Sequence, residues 1–260
     1  MSKRALVTGS ARRLGRAMAI ELAGRGYDVA IHYAGSADAA GQTAADLRDM
    51  GVSAAAVQAD LQDDAAVASL IGTAADALGG PLSVLVNNAS AFDHDDIQTL
   101  SLASWDRSMA SNLKAPVFLT QAFAAQAPKG RTTDDGEPLP SGLVVNMIDQ
   151  RVRKLTPEFM TYSLAKMGLW AFTRTAAQAL APDIRVNGIG PGPTMQGGRQ
   201  TREHFDAQRH ATLLGRGSSP EGICRALGFF LEAEEVTGQL ICVDGGQHLA
   251  WQTPDVLGVE

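Results

Sequence analysis

Three side chains near the middle of the chain have the types and spacing to handle a proton together. Tyr162 and Lys166 stand four apart in the stretch YSLAK, so a helix would stack them on one face and set an ammonium beside a phenol. A neighbouring positive charge pulls a tyrosine below its ordinary pKa of roughly 10, which predicts a proton donor or acceptor near neutral pH. Asp149 follows the apolar run Leu143–Val145, where a strand end would present its carboxyl to the same space. Asn112 sits inside a helical pattern, where an asparagine ordinarily faces solvent or bonds its local backbone. A functional asparagine there would distort the helix and could hold a water.

Positioning such groups takes an ordered scaffold, and the sequence supplies one. The chain has 260 residues, 45% hydrophobic and 19% charged, enough for one domain with one large core. Strand patterns occur at Ala5–Thr8, Val29–His32, Val52–Val57, Leu82–Val86, 143–146, Ile184–Ile189 and Gln239–Val243. Helical patterns fall between them at Leu14–Leu22, Asp38–Met50, Asp63–Leu78, Trp105–Ala125, 160–180 and Pro220–Leu231, with a kink expected at Pro116. Residues 128–142 read as a polar surface loop. This alternation predicts a single α/β domain over 1–260, a doubly wound parallel sheet of seven strands with helices on both faces. Ligands in such a fold bind beyond the carboxyl ends of the strands.

Charge and composition narrow the partners. The formal net charge is −6, from 22 basic and 28 acidic residues, and only 5% of residues are aromatic, which argues against nucleic acid. Cys224 and Cys242 have neither a CxxC partner nor metal-ligand spacing, so they read as buried thiols of a reducing compartment and no metal is expected. No segment has the length and apolarity of a membrane span, and no signal-like stretch follows Met1. A cytoplasmic protein is the expectation.

The remaining motifs lie at predicted strand ends. Thr8-Gly9 through Gly15 joins the first strand to the first helix, where glycine lets backbone approach a pyrophosphate and free helix amides favour its charge. The strict GxGxxG spacing is missing, and a plain tight turn is the simpler reading. About 20 residues after such a turn an NAD site carries an acid for the ribose. Here the second strand ends in His32, Tyr33, Ala34, Gly35 and Ser36, without a carboxylate. Arg12 or Arg13 could meet a 2′-phosphate instead, with Ser36 as donor, which favours NADP(H) over NAD(H). Asp60-Leu61 and Asn87-Asn88-Ala89-Ser90 close the third and fourth strands; singly these are ordinary turn residues, but together they outline a site.

TGxxxxxG, NNA, the helical Asn112, YxxxK and the Pro191-Gly192 turn resemble the short-chain dehydrogenase/reductase superfamily over essentially the whole chain. More narrowly, Thr8-Gly9-xxx-Arg13-Leu14-Gly15, Asn88-Ala89-Ser90-x-Phe92, Asn146-Met147-x-Asp149 and 185–192 resemble its pteridine reductase and dihydromonapterin reductase branch. In that branch an arginine replaces the middle glycine of the turn, and an aspartate replaces the serine thirteen residues before the tyrosine. The resemblance implies a Rossmann fold and a homotetramer. It assigns catalysis to Asp149, Tyr162, Lys166 and Asn112. It places the cofactor against Gly9, Arg12, Arg13, Leu14, Gly15, His32, Tyr33, Ser36, Asp60, Leu61, Asn88, Ala89, Ser90, Tyr162, Lys166, Pro191 and Gly192. Substrate would meet Arg13, Ser90, Phe92, Asp149 and Tyr162, with Phe92 stacking a flat ring. Gly35 departs from the branch, which often carries an arginine there as a partner for the 2′-phosphate.

Asp149 carries the substrate information. Reducing a ring C=N requires a proton on nitrogen as hydride reaches carbon, and a carboxyl of raised pKa can deliver one where serine cannot. The expected activity is therefore NADPH-dependent reduction of a dihydropterin. Two other readings compete: a general carbonyl reductase or alcohol dehydrogenase, and a cofactor-binding protein without turnover. Residues 193–217 occupy the substrate-loop position, and their glycines suggest a loop that closes over substrate. His204 and His210 within it read as solvated helix residues. The apolar tail, with Trp251 and Leu257, is expected at a subunit contact.

Overall fold

The computed structural model describes residues 3–253, so Leu257 lies outside the described residues. The chain runs β1 (Arg4–Val7), α1 (Arg13–Gly24), β2 (Asp28–Tyr33), α2 (Ala37–Asp49), β3 (Ala54–Gln58), α3 (Asp64–Ala77) and β4 (Val84–Asn87). It continues through α4 (Leu102–Met109), a π-turn (Ala110–Lys114), α5 (Ala115–Gln126), β5 (Arg131–Thr132), β6 (Pro138–Leu139) and β7 (Gly142–Met147). A 3₁₀ turn (Gln150–Val152), α6 (Met160–Leu180), β8 (Ile184–Pro191), α7 (Arg202–His210), α8 (Pro220–Glu232) and β9 (Leu240–Val243) complete it, before a last 3₁₀ turn (Gln247–Leu249).

Seven of the strands form one sheet in the order β3-β2-β1-β4-β7-β8-β9, and every pair is parallel. Strand residues alternate between the two faces, so each strand feeds two cores. Ala5, Val7, Val29, Ile31, Val84, Val86, Leu143 and Val145 pack with Met18 and Leu22 of α1, Leu47 of α2 and Leu227 and Phe230 of α8. Leu6, Ala30, Leu85 and Val144 face the other way, onto Leu70 and Ile71 of α3, Leu119 and Phe123 of α5 and Ala176 of α6. Strand order reverses between β1 and β4, which opens a crevice at their carboxyl ends.

Three expectations need correction. Residues 128–142 are not wholly loop, because Arg131–Thr132 pairs with Pro138–Leu139 as a short antiparallel ladder. Strand β8 runs past the expected Ile189 to Pro191, so the Pro191-Gly192 turn begins inside the sheet, where Pro191 pairs with Val243. The long fourth helix is distorted at Asn112 rather than kinked at Pro116. Pro116 stands in the first turn of α5, where a missing N–H costs little. One residue class also reads differently: Cys224 is buried, but Cys242 is only half-buried. Among the described residues no helix is long and apolar enough to cross a membrane.

Candidate active site

The β1–α1 turn is shaped by contacts that leave no room for side chains. A Cβ on Gly15 would lie 2.3 Å from the Gly9 carbonyl oxygen and 2.6 Å from the Asn88 amide nitrogen. Gly9 itself takes a left-handed φ of 62°, which glycine adopts without strain. Asn88 donates to the Thr8 and Gly9 carbonyls at 2.8 and 3.2 Å, and the amides of Asn88 and Ala89 each reach the Thr8 hydroxyl at 2.9 Å. These bonds lock the ends of β1 and β4 to each other.

His32 supports the turn from beneath. It is 2% exposed; its Nδ1 accepts from the Gly9 amide at 2.9 Å and its Nε2 faces the Ala59 carbonyl at 3.0 Å. An Nδ1 that accepts leaves Nε2 to donate, so the ring is neutral, and burial pushes its pKa below the ordinary histidine value. The expected cofactor contact of His32 is thus corrected to a framework role, since both ring nitrogens are engaged. Leu61 is buried in the core that packs on α3.

The crevice fits a dinucleotide bearing a 2′-phosphate. Helix α1 begins with neither a side-chain cap nor an acid in its first turn, so its amides are open to an anion. Arg12 and Arg13 are exposed beside it, as are Gly35 and Asp60, while Tyr33 and Ser36 are half-buried. A Cβ at Gly35 would meet nothing within 4 Å, so space for a phosphate exists where the frequent arginine is missing. Pro191 and Gly192 end β8 against β9, and a Cβ on Gly192 would come 2.6 Å from the Asp244 side chain. Among the described residues no cluster of metal ligands occurs.

At the centre, β7 delivers Asp149 and α6 delivers Tyr162 and Lys166. The Tyr162 hydroxyl donates to Asp149 Oδ2 at 2.9 Å, and Asp149 Oδ1 accepts from the Arg151 amide at 2.8 Å. Asp149 therefore caps the 3₁₀ turn and engages the phenol at once. Lys166 donates to the Met147 carbonyl at 2.7 Å, with its nitrogen 5.6 Å from the Tyr162 ring centre. Burial pushes Asp149 above the usual carboxylate range, against opposing pulls from the Arg151 amide and guanidinium, Tyr162 and Lys166. Burial lowers Lys166 to about 8, with Asp149 opposing.

The lowered tyrosine pKa expected from Lys166 is not what the geometry gives. Burial first, and then the charge and hydrogen bond of Asp149, push Tyr162 well above 10; Arg151 and the Ser90 hydroxyl oppose them. The phenol holds its proton and offers it to Asp149.

Asn112 is fully buried in the π-turn. Its Oδ1 accepts from the Ser90 hydroxyl at 2.8 Å and the Ala91 amide at 3.0 Å, and its Nδ2 donates to the Ala91 carbonyl at 2.8 Å. An extra residue in a helical turn of this kind redirects one side chain out of register, and here that side chain fixes the loop after β4.

Phe92 and the segment 193–217 form the mouth. Phe92 stacks on Phe159 with centroids 4.4 Å apart and meets the edge of Tyr162 at 4.7 Å. The Arg151 guanidinium lies 4.7 Å from the Phe159 ring centre. Arg13 adopts φ 54°, a left-handed conformation that costs a non-glycine residue about 1–2 kcal/mol, which explains the glycine usual at this position. Its guanidinium donates to the carbonyls of Met195 and Gln196 at 3.3 and 2.9 Å. Arg199 donates to the Phe92 carbonyl from the same segment. The segment 193–217 thus lies across the mouth, tied on both sides. His204 and His210 are exposed on α7, and Trp251 is 60% exposed.

Asp149, Tyr162, Lys166, Asn112, Ser90 and Phe92 converge on one volume, adjoined by Arg13 and the glycine turn. Sequence reasoning missed Phe159, Arg199 and the Met147 carbonyl. Phe159 stands directly before α6 in a left-handed conformation, so no periodic pattern in the sequence marks it. Arg199 and Met147 left no local signal, because the first acts through chain folding and the second through its backbone.

A family model described as enoyl-(acyl carrier protein) reductase matches residues 9–248. Pteridine reductase 1 of Leishmania tarentolae is 34% identical over 281 residues, covering 94% of this chain and 96% of that protein. The 3-oxoacyl-[acyl-carrier-protein] reductase FabG of Staphylococcus aureus is 30% identical over 256 residues, covering 96% of this chain and 99% of its own. The crystal structure of FolM alternative dihydrofolate reductase 1 from Brucella canis, complexed with NADP, superposes with a TM-score of 0.90 at 46% identity, covering 97% and 96% of the two chains. Sheet order, glycine turn, buried Asn112 and the Tyr162–Lys166 pair agree with those matches: the chain belongs to the short-chain dehydrogenase/reductase superfamily of oxidoreductases.

Proposed function

We propose that this protein is an NADPH-dependent reductase of dihydropterins, adding hydride to a ring C=N. NADPH, when bound, supplies the hydride. The protein supplies the proton and the orientation. The observation that carries the reading is the 2.9 Å hydrogen bond from Tyr162 to Asp149, whose carboxyl burial holds above its usual range. Such a pair passes one proton to a ring nitrogen as the adjacent carbon receives hydride, so C=N becomes CH–NH. Solvent restores the proton afterwards.

The other residues serve that transfer. Lys166, fixed on the Met147 carbonyl, would hold the nicotinamide ribose, and Arg12, Arg13 and Ser36 would take phosphate charge. Phe92 offers an aromatic face for a flat ring. Likeness to pteridine reductase 1 and to the alternative dihydrofolate reductase supports this substrate class. A second reading, reduction of a ketone, is favoured by likeness to the 3-oxoacyl reductase, and under it Asp149 is incidental. We assign a homotetramer on the superfamily resemblance, supported by the apolar groove between α5 and α6 around Phe118, Phe172 and Leu180; light scattering tests it.

NADPH oxidation measured with a dihydropterin beside a simple ketone separates the readings. Faster turnover of the dihydropterin supports the first, and faster turnover of the ketone replaces it with the second.

A further inference from the structure

Helix α6 presents Tyr162 from its first turn, yet its own cap residue cannot serve it. Phe159 occupies the cap position with φ 56° and makes no side-chain cap hydrogen bond. The free amides of a helix N-terminus need acceptors when buried, and Thr161 is fully buried. Its acceptor comes from 66 residues earlier: Asp95 Oδ1 takes the Thr161 amide at 3.2 Å, and Asp95 Oδ2 takes the Thr161 hydroxyl at 2.5 Å. The Asp95 carbonyl accepts from the Met160 amide at 3.3 Å. Asp95 itself is 2% exposed.

The same cluster reaches a third element. The Ser108 hydroxyl lies 3.0 Å from that of Thr161, and Ser108 stands in the last turn of α4, directly before the π-turn that holds Asn112. Asp95, Thr161 and Ser108 therefore join the loop that carries Ser90 and Phe92, the helix that carries Tyr162, and the segment that carries Asn112. All three are buried, where hydrogen bonds fix geometry most strictly.

We propose that Asp95 is a positioning residue for the reduction: it caps the catalytic helix from a distant segment of the same chain and sets the Tyr162 phenol in register with Ser90 and Asn112. Asp95 stands apart from the Asp149–Tyr162 pair and from the glycine turn, so its loss acts on the rate of proton delivery while cofactor binding stays. This rests on Tyr162 as the proton-handling group, whatever the substrate that is turned over.

The experiment measures kcat, KM and NADPH affinity for wild type, Asp95→Ala, Asp95→Asn and Tyr162→Phe, with whichever substrate the wild type reduces. Asp95→Ala is expected to lower kcat about tenfold or more, because small misplacements of reacting groups are costly, with NADPH affinity within about twofold. Asparagine keeps an oxygen for the Thr161 amide, so Asp95→Asn is expected to recover most of the rate. An unchanged kcat in Asp95→Ala overturns the proposal, as does a lost rate in Asp95→Asn with intact folding. If Asp95→Ala does not fold, Thr161→Val carries the test: a fall in kcat of about threefold at unchanged NADPH affinity is expected, and no fall overturns it. Full activity in Tyr162→Phe would instead remove the assignment of Tyr162 on which the proposal stands.

Discussion

The two ends of the crevice are built by different means. The cofactor end is mostly backbone: Gly9, Gly15 and the Asn88 amide close on one another at distances that admit no Cβ, with His32 wedged below. The end proposed for substrate is side chains from distant segments: Phe92 on Phe159, Arg13 on the Gln196 carbonyl, Arg199 on the Phe92 carbonyl, Asp149 with Tyr162. A backbone cradle tolerates few substitutions and suits a ligand shared by many relatives. A mouth of side chains can change its substrate while the cradle stays, and the chain is similar both to a pteridine reductase and to a 3-oxoacyl reductase.

The contrast predicts where mutations register, beginning at the junction of the two ends. Tyr162→Phe should lower kcat by about 10²–10⁴-fold, the usual contribution of a positioned general acid, while NADPH titration by fluorescence stays near wild type. At the cradle, Gly15→Ala forces a methyl into the Gly9 carbonyl and should cost about 1–3 kcal/mol of stability, read by thermal unfolding, along with weaker NADPH binding. Equal behaviour of Gly15→Ala and wild type would mean that the cradle is looser than the distances imply.

Two pH limbs separate the ends further. A histidine with its folded pKa held below the ordinary 6.5 binds its proton more readily when unfolded, so its contribution to stability is lost as pH falls through that range. Thermal unfolding against pH should show this acid limb, and His32→Gln should flatten it. Activity should fail in the opposite direction. Lys166 loses its charge near about 8, so kcat/KM should fall as pH rises past that point. The smallest effect belongs to the rim: Arg199→Ala should raise KM by about two- to fivefold with kcat unchanged, as expected for an exposed polar contact worth about 0.5–1 kcal/mol.

Much of the cradle was legible because its signals are local. Alternating apolar strands, the Thr8–Gly15 turn and the Asn87–Ala89 strand end each lie within a few consecutive residues, and the sheet follows from their order. The Tyr162–Lys166 spacing likewise needed only one helix. The phenol's protonation was misjudged, because sequence spacing shows the nearby cation but not the burial or the carboxylate that outweigh it. His32 looked like a ligand residue because a strand end says nothing of which way a ring turns. Arg13 shows the middle case: its identity was informative, but its grip on Met195 and Gln196 joins positions 182 and 183 residues apart, beyond any local pattern.

The central claim is that Asp149 works in the protonation of a pterin ring nitrogen. Asp149→Ser tests it by NADPH oxidation with a dihydropterin and with a simple ketone, beside direct titration of NADPH binding. Dihydropterin turnover should fall by about 10²-fold or more, with NADPH affinity within about twofold and any ketone activity retained. Undiminished dihydropterin turnover in Asp149→Ser would contradict the account.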